Sequence, residues 1–263
     1  MNCVAVSGVA VVLVVTRGAA ALHRHARLSE IKLKNIGPKL VPFFKSVCVY
    51  FVLLAEQPSL HTACFKCLPI ISLILFVLLH GMNLSDEYTF SRRILTGLIF
   101  SCLGDAFIVW PNLFIVGMAM FSIAQLMYIT AFGFTPLNLK LGGVIYLLCS
   151  IVIYILMPGL NGVLVIGVPI YTTLLGTMSW RAISRVVFFK GQPWTWTKLC
   201  SGIGSIFFVM SDTLLGFHHF YYPIPYATIS IMLTYYAAQL GIALSTVDSS
   251  RDSIKAKAIP TNN

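Results

Sequence analysis

The sequence predicts an all-α, polytopic membrane protein with eight transmembrane helices. Three observations predict it. Of 263 residues, 58% are hydrophobic and 10% charged, whereas about a quarter of a soluble domain is charged. The apolar residues come in runs of roughly 17–24, the length that crosses about 30 Å of hydrocarbon. Lys and Arg gather between alternate runs, as the positive-inside pattern requires. The net charge of +10 therefore reads as membrane topology, and no nucleic-acid partner is expected.

Residues 1–35 form an N-terminal extension. Its apolar stretch "CVAVSGVAVVLVV" stops at Arg17, short of a comfortable span, which suits an interfacial or signal-like segment. The membrane domain is expected over 36–250, with helices near 40–55, 67–84, 94–110, 113–133, 141–157, 161–180, 199–217 and 224–246. The first is short and contains Lys45. Pro111, Gly133 to Pro136, Pro158-Gly159, Gly191 to Pro193, Pro223 and Pro225 punctuate the rest. Lys32, Lys34, Arg92, Arg93, Lys140, Arg181, Arg185 and Lys198 fall on one side and Lys66 stands out on the other. Both termini, with the tail 251–263, are thus expected in the cytoplasm. The Asn83 sequon would share that side and escape glycosylation. His61, Cys64 and Cys67 lie close together without a second ligand pair, so no metal is expected.

Six of the eight acidic residues fall in loops or tails. The exceptions are Asp105 in "SCLGDAF" and Asp212 in "FVMSDTLL". Burying each in lipid costs about 2.5–3.5 kcal/mol on insertion scales, so a functional use is the default. "GLIFSCLGD" (97–105) echoes "GSIFFVMSD" (204–212), and "AQL" occurs at 124–126 and 238–240. These echoes suggest a parallel repeat of four plus four helices. Counted from Arg93 and Lys198, the carboxyls sit at similar depth and are expected to share a cavity. Gly97, Ser101 and Asp105 lie at i, i+4 and i+8, and Ser201, Ser205 and Asp212 mark a second small, polar face.

A buried carboxyl favours its neutral form, and two neighbouring carboxyls resist ionising together. Such a pair supplies a general acid and a general base, or the proton site of a carrier. The residues alone leave both open. No GxSxG elbow or HExxH pair occurs. His218-His219 read as an exposed outer turn, and "WTW" at 194–196 as an interfacial anchor.

Taken together, "GPKLVPFFK", "GLIFSCLGDAF", "MSWRA", "VMSD" and "TYYAAQL", spread from about Gly37 to Ser250, resemble the YhhN family. Within it they are most similar to the animal transmembrane lysoplasmalogenases. The resemblance implies an eight-helix hydrolase of internal membranes, the endoplasmic reticulum in particular. It would cleave the vinyl ether bond of lysoplasmalogens to a fatty aldehyde and glycerophosphocholine or glycerophosphoethanolamine. The family's two essential acidic positions match Asp105 and Asp212. One would protonate the alkene and the other would stabilise the oxocarbenium ion and activate water. By a narrow margin Asp105 is taken as the acid. No metal, nucleotide or other cofactor is expected.

Ser101, Gln125, Tyr128, Tyr235 and Gln239 are the expected substrate-binding groups. Lys45 would meet the phosphate, although snorkelling to the interface is its commoner use. Relatives usually carry His where this chain has Gln125, and often His in place of Val116. The expected partners are a lysophospholipid, membrane lipid and, as a homodimer, a second copy of the chain. A proton-coupled lipid or small-molecule transporter and a non-catalytic lipid-binding protein remain the alternatives.

Overall fold

The computed structural model describes residues 36–54, 57–80, 88–186 and 196–247. The N-terminal extension up to residue 35, the Asn83 sequon, Trp194 and the C-terminal tail lie outside them. Among the described residues there are eight α-helices, each near its expected position. They are α1 (36–52), α2 (Leu60–Leu79), α3 (Thr89–Phe107), α4 (Phe114–Phe132), α5 (Leu139–Leu156), α6 (Leu164–Ser184), α7 (Trp196–Phe220) and α8 (Ala227–Leu244). The chain divides into two compact units, Met1–Pro42 and Phe43–Asn263. The first contributes only the opening turns of α1 to the described residues, and the site lies wholly in the second.

Several helix ends differ from their expected places, three of them for a visible local reason. The α2 helix starts at Leu60 because the Ser59 side chain accepts the Thr62 N–H at 3.1 Å, a stabilising N-cap. That cap carries the helix through the polar "HTACFKC", so Lys66 is helical and not part of a loop. The α6 helix continues past the expected boundary, with Arg181 fully buried. Its Nε and Nη2 donate to the Gly133 and Pro136 carbonyls at 2.6 and 2.9 Å, which ties down the α4–α5 connection. The α7 helix runs to Phe220 and takes His218 and His219 into its last turn.

Six helices close a ring. Each of α2, α3, α4, α6, α7 and α8 packs on the next, and α8 returns to α2. Packed on α6 and largely uncovered, α5 leaves Val144, Leu147 and Ile151 exposed. From Phe43 onward α1 meets α2 through Ser46 and Ser72, and α8 through the edge-on rings of Tyr50 and Tyr236. Small residues allow the tightest crossing, as in membrane bundles generally. A Cβ on Gly241 would lie 2.7 Å from the Cys200 carbonyl oxygen, and one on Gly204 would lie 2.8 Å from that of Ala238.

Among the described residues five helical stretches are long and apolar enough to cross a membrane: Leu60–Leu79, Pro111–Phe132, Leu139–Gly159, Trp196–Phe220 and Ala227–Leu244. The other three helices miss for visible reasons. One is short (α1), another carries Arg92, Arg93 and Asp105 (α3), and the third is diluted by Tyr171, Thr172, Thr173 and Arg181 (α6).

Candidate active site

All eight helices contribute to the lining of a cavity of about 480 Å³, inside the usual range for small-molecule sites. Lys66 of α2, Asp105 of α3, Tyr171 of α6, Asp212 of α7 and Tyr235 of α8 line its polar part. Leu148, Val152, Val168, Leu175 and Ile206 line its apolar part. Asp105 and Asp212 are the only acidic side chains among the described residues. Each lies sixteen residues past the start of its helix, about 24 Å of rise at 1.5 Å per residue. Both carboxyls line the same cavity.

Their surroundings differ. Asp105 is 1% exposed. Its Oδ2 accepts the Tyr235 hydroxyl at 2.6 Å, and its Oδ1 lies 3.7 Å from Lys66 Nζ. The Tyr235 ring is held edge-on by Phe121 and Phe208, at 6.0 and 5.6 Å between centroids. Its hydroxyl also accepts the Gln239 amide at 3.2 Å. The Gln239 Oε1 accepts from Tyr128 at 3.0 Å, and the Tyr128 hydroxyl meets Ser101 at 3.3 Å. A continuous chain of hydrogen bonds therefore runs from Ser101 through Tyr128, Gln239 and Tyr235 to Asp105. Lys66 is itself placed from behind, since Tyr236 donates to its backbone carbonyl at 2.9 Å.

Asp212 is half-buried, its accessible side turned to the cavity it lines. Tyr171 donates a short hydrogen bond to its Oδ2. The structure pairs no lysine or arginine with it among the described residues. Gln125 is fully buried next to Tyr171, but its amide falls short of a well-formed hydrogen bond there or elsewhere.

The structure thus brings Asp105, Asp212 and Tyr235 to the cavity wall and places Ser101, Tyr128 and Gln239 in the layer behind it. Lys45 is a correction. It sits exposed on α1, away from the cavity lining, and the ammonium beside a carboxyl is that of Lys66. The His218-His219 turn is a second correction, since both line the cavity from the end of α7. Val116 is 39% exposed and outside the lining. Sequence reasoning missed Tyr171 because an aromatic in an apolar helix usually packs. The available signal was that a buried carboxyl requires a donor, and "IYTT" offers three hydroxyls on α6.

The sequence model of the YhhN family matches residues 61–246, which contain both carboxyls and all but one of the cavity-lining side chains. The chain belongs to the YhhN family. It is 42% identical over 221 residues to "Lysoplasmalogenase TMEM86A" of Bos taurus, covering 82% of this chain and 92% of the relative. The Homo sapiens protein of that name gives the same figures. "Lysoplasmalogenase TMEM86B" of Sus scrofa is 37% identical over 234 residues, 88% of this chain and 96% of the relative. No solved structure matches. With its apolar helices and these relatives, this YhhN-family chain is an integral membrane protein.

Proposed function

We propose that the protein is a lysoplasmalogenase that hydrolyses the vinyl ether bond of lysoplasmalogens to a fatty aldehyde and a glycerophospho-alcohol. The observation that carries this is the unequal pair of carboxyls in one cavity of a chain so similar to named lysoplasmalogenases. A vinyl ether hydrolyses when its β-carbon takes a proton, leaving an oxocarbenium ion that water attacks to give a hemiacetal. The reaction needs one carboxyl that holds a proton and one that holds a charge.

The surroundings support one division of the two roles. Each Asp accepts one tyrosine hydroxyl, so those bonds largely cancel between them. Lys66 remains, and at 3.7 Å it favours an ionised partner by about 4–5 kcal/mol at an effective dielectric near 20. Asp105 is therefore the carboxylate that stabilises the oxocarbenium ion and accepts a proton from the attacking water. Asp212 keeps the proton and gives it to the alkene, with Tyr171 fixing its orientation. This reverses the expectation that Asp105 is the acid. Gln125, fully buried beside Tyr171 and outside the cavity lining, would act through Tyr171 and not on the substrate directly.

All eight helices are proposed to span the membrane, as two parallel repeats of four. The order of packing supports this: α2 on α3 on α4 on α6 parallels α6 on α7 on α8 on α2, and α2 and α6 each hold an internal proline, Pro69 and Pro169. Cytoplasmic termini, residence in the endoplasmic reticulum and a homodimer belong to the same proposal. Accessibility of cysteines introduced at loop positions checks the topology.

The activity is tested by aldehyde release from a lysoplasmalogen by purified protein, with the saturated alkyl-ether lysolipid as control because it lacks the alkene. Release from the alkenyl lipid alone is expected. A folded wild type that binds the lipid and releases nothing would hand the site to the transporter or lipid-binding alternative.

A further inference from the structure

We infer that Lys66 is the phosphate anchor of this cavity, and that through it the site selects phosphorylated over unphosphorylated alkenyl glycerolipids. The inference rests on the proposed function for its substrate class. Its evidence is the placement of a single cation.

Among the described residues Lys66 is the one lysine or arginine in the lining of the cavity. Its ion pair with Asp105, at 3.7 Å, is longer than a hydrogen bond and leaves its side chain 15% exposed. An ammonium has three donors, so Asp105 does not exhaust it. The Tyr236 hydroxyl on the Lys66 carbonyl fixes where that ammonium is presented. Two histidines stand at the same end, of which His218 offers a donor. His218 accepts the Ile224 N–H at Nδ1, 3.0 Å away, which puts the proton of the neutral ring on Nε2. His219 stacks on Phe114, 5.5 Å between centroids, within electrostatic reach of Lys66. Away from this end the lining turns apolar at Leu148, Val152 and Leu175. The cavity therefore has a cationic end and a hydrocarbon end, with both carboxyls lining it.

That order matches the ligand. In a lysoplasmalogen the phosphate ester and the vinyl ether are separated only by the three carbons of glycerol, and the hydrocarbon chain follows the alkene. A phosphate on Lys66 delivers the vinyl ether to the neighbouring carboxyls and sends the chain into the apolar part. A cation that served only to neutralise Asp105 would gain nothing from its opening to the cavity.

The test compares two substrates that differ only in the phosphate, an alkenyl lysophospholipid and the matching alkenylglycerol. In wild type kcat/KM should favour the phospholipid, and Lys66→Met should lower that preference roughly 10–100-fold, as expected for a charge-assisted hydrogen bond. Lys66→Arg should keep it. Equal losses on both substrates would overturn the inference, because Lys66 would then act only through Asp105. Should Lys66→Met fail to fold, Lys66→Gln serves in its place. Binding of the unreactive alkyl-ether lysophospholipid and alkylglycerol is measured alongside, and the same selective loss is expected. If wild type hydrolyses neither substrate the proposed function fails, yet the binding pair still judges the anchor. Displacement of the lipid by equimolar inorganic phosphate would reassign the site to a free anion.

Discussion

Asp105→Asn and Asp212→Asn are both expected to abolish most turnover, for reasons that a pH series separates. Asp105→Asn removes the charge facing Lys66. At 3.7 Å and an effective dielectric near 20, that attraction of about 4.5 kcal/mol keeps Asp105 ionised before reaction, and losing the carboxylate that faces the oxocarbenium ion should cost about 10²–10³ in rate, as for other transition-state electrostatic stabilisers. The stranded ammonium also repels the oxocarbenium ion, so the double variant Asp105→Asn with Lys66→Met should recover part of the loss, a coupling that a double-mutant cycle reads directly. Asp212→Asn removes the proton donor instead, with an expected drop of about 10²–10⁴. Vinyl ethers also accept protons from hydronium. The residual activity of Asp212→Asn, corrected for the uncatalysed reaction, should therefore climb about tenfold per pH unit as pH falls. Asp105→Asn keeps its donor and should stay flat over the same range. The assay is aldehyde release coupled to an aldehyde dehydrogenase, with detergent-solubilised protein held at matched folded fraction. An acid-driven climb in Asp105→Asn with a flat Asp212→Asn would refute the assignment of roles. Wild-type turnover in either variant would refute the pair altogether.

Other substitutions probe the surroundings. Tyr235→Phe keeps the ring clamped by Phe121 and Phe208 but loses the bonds to Asp105 and Gln239, and kcat should fall roughly 10–100-fold with a stability loss of about 1–3 kcal/mol. Gln125→Leu replaces a fully buried amide that has no well-formed hydrogen bond. A rise in melting temperature together with a fall in activity is expected, the exchange common at functional sites. Gly241→Ala places a methyl 2.7 Å from the Cys200 carbonyl and should destabilise by about 1–3 kcal/mol. Gly143→Ala, with nothing within 4 Å, should be near neutral in the same thermal unfolding measurement.

The helices and the two carboxyls were legible in the sequence because both are signals of composition: long apolar runs, and charge where lipid forbids it. Ser101, Tyr128, Tyr235 and Gln239 were legible as polar groups on apolar helices, though their joining into one chain of hydrogen bonds depends on how helices far apart in sequence pack. Lys66 was not legible as a site residue. Polar neighbours pulled the hydropathy signal to a start near residue 67, and the Ser59 cap that moves the start to Leu60 is a feature of a few atoms. Lys45 misled for the opposite reason, since a cation inside an apolar run looks recruited when its helix merely turns it outward. Tyr171 carries no compositional mark, because the need it meets belongs to Asp212, 41 residues away.

The order in which these partners leave the ribosome has a consequence for how the protein is made. In the proposed eight-span topology Asp105 enters the bilayer long before its hydrogen-bond donor exists, since Tyr235 follows 130 residues later, roughly 7–26 s at 5–20 residues per second. Lys66, on the preceding helix, is already synthesised. Likewise Tyr171 precedes Asp212 on the neighbouring α6. Each carboxyl is therefore escorted by a partner on the helix that packs against it and was made earlier, so α2 with α3, and α6 with α7, can leave the translocon as pairs with their polar groups already matched. Assembly of the chemistry waits only for α8, the last helix to arrive, which closes the ring and brings Tyr235 to Asp105.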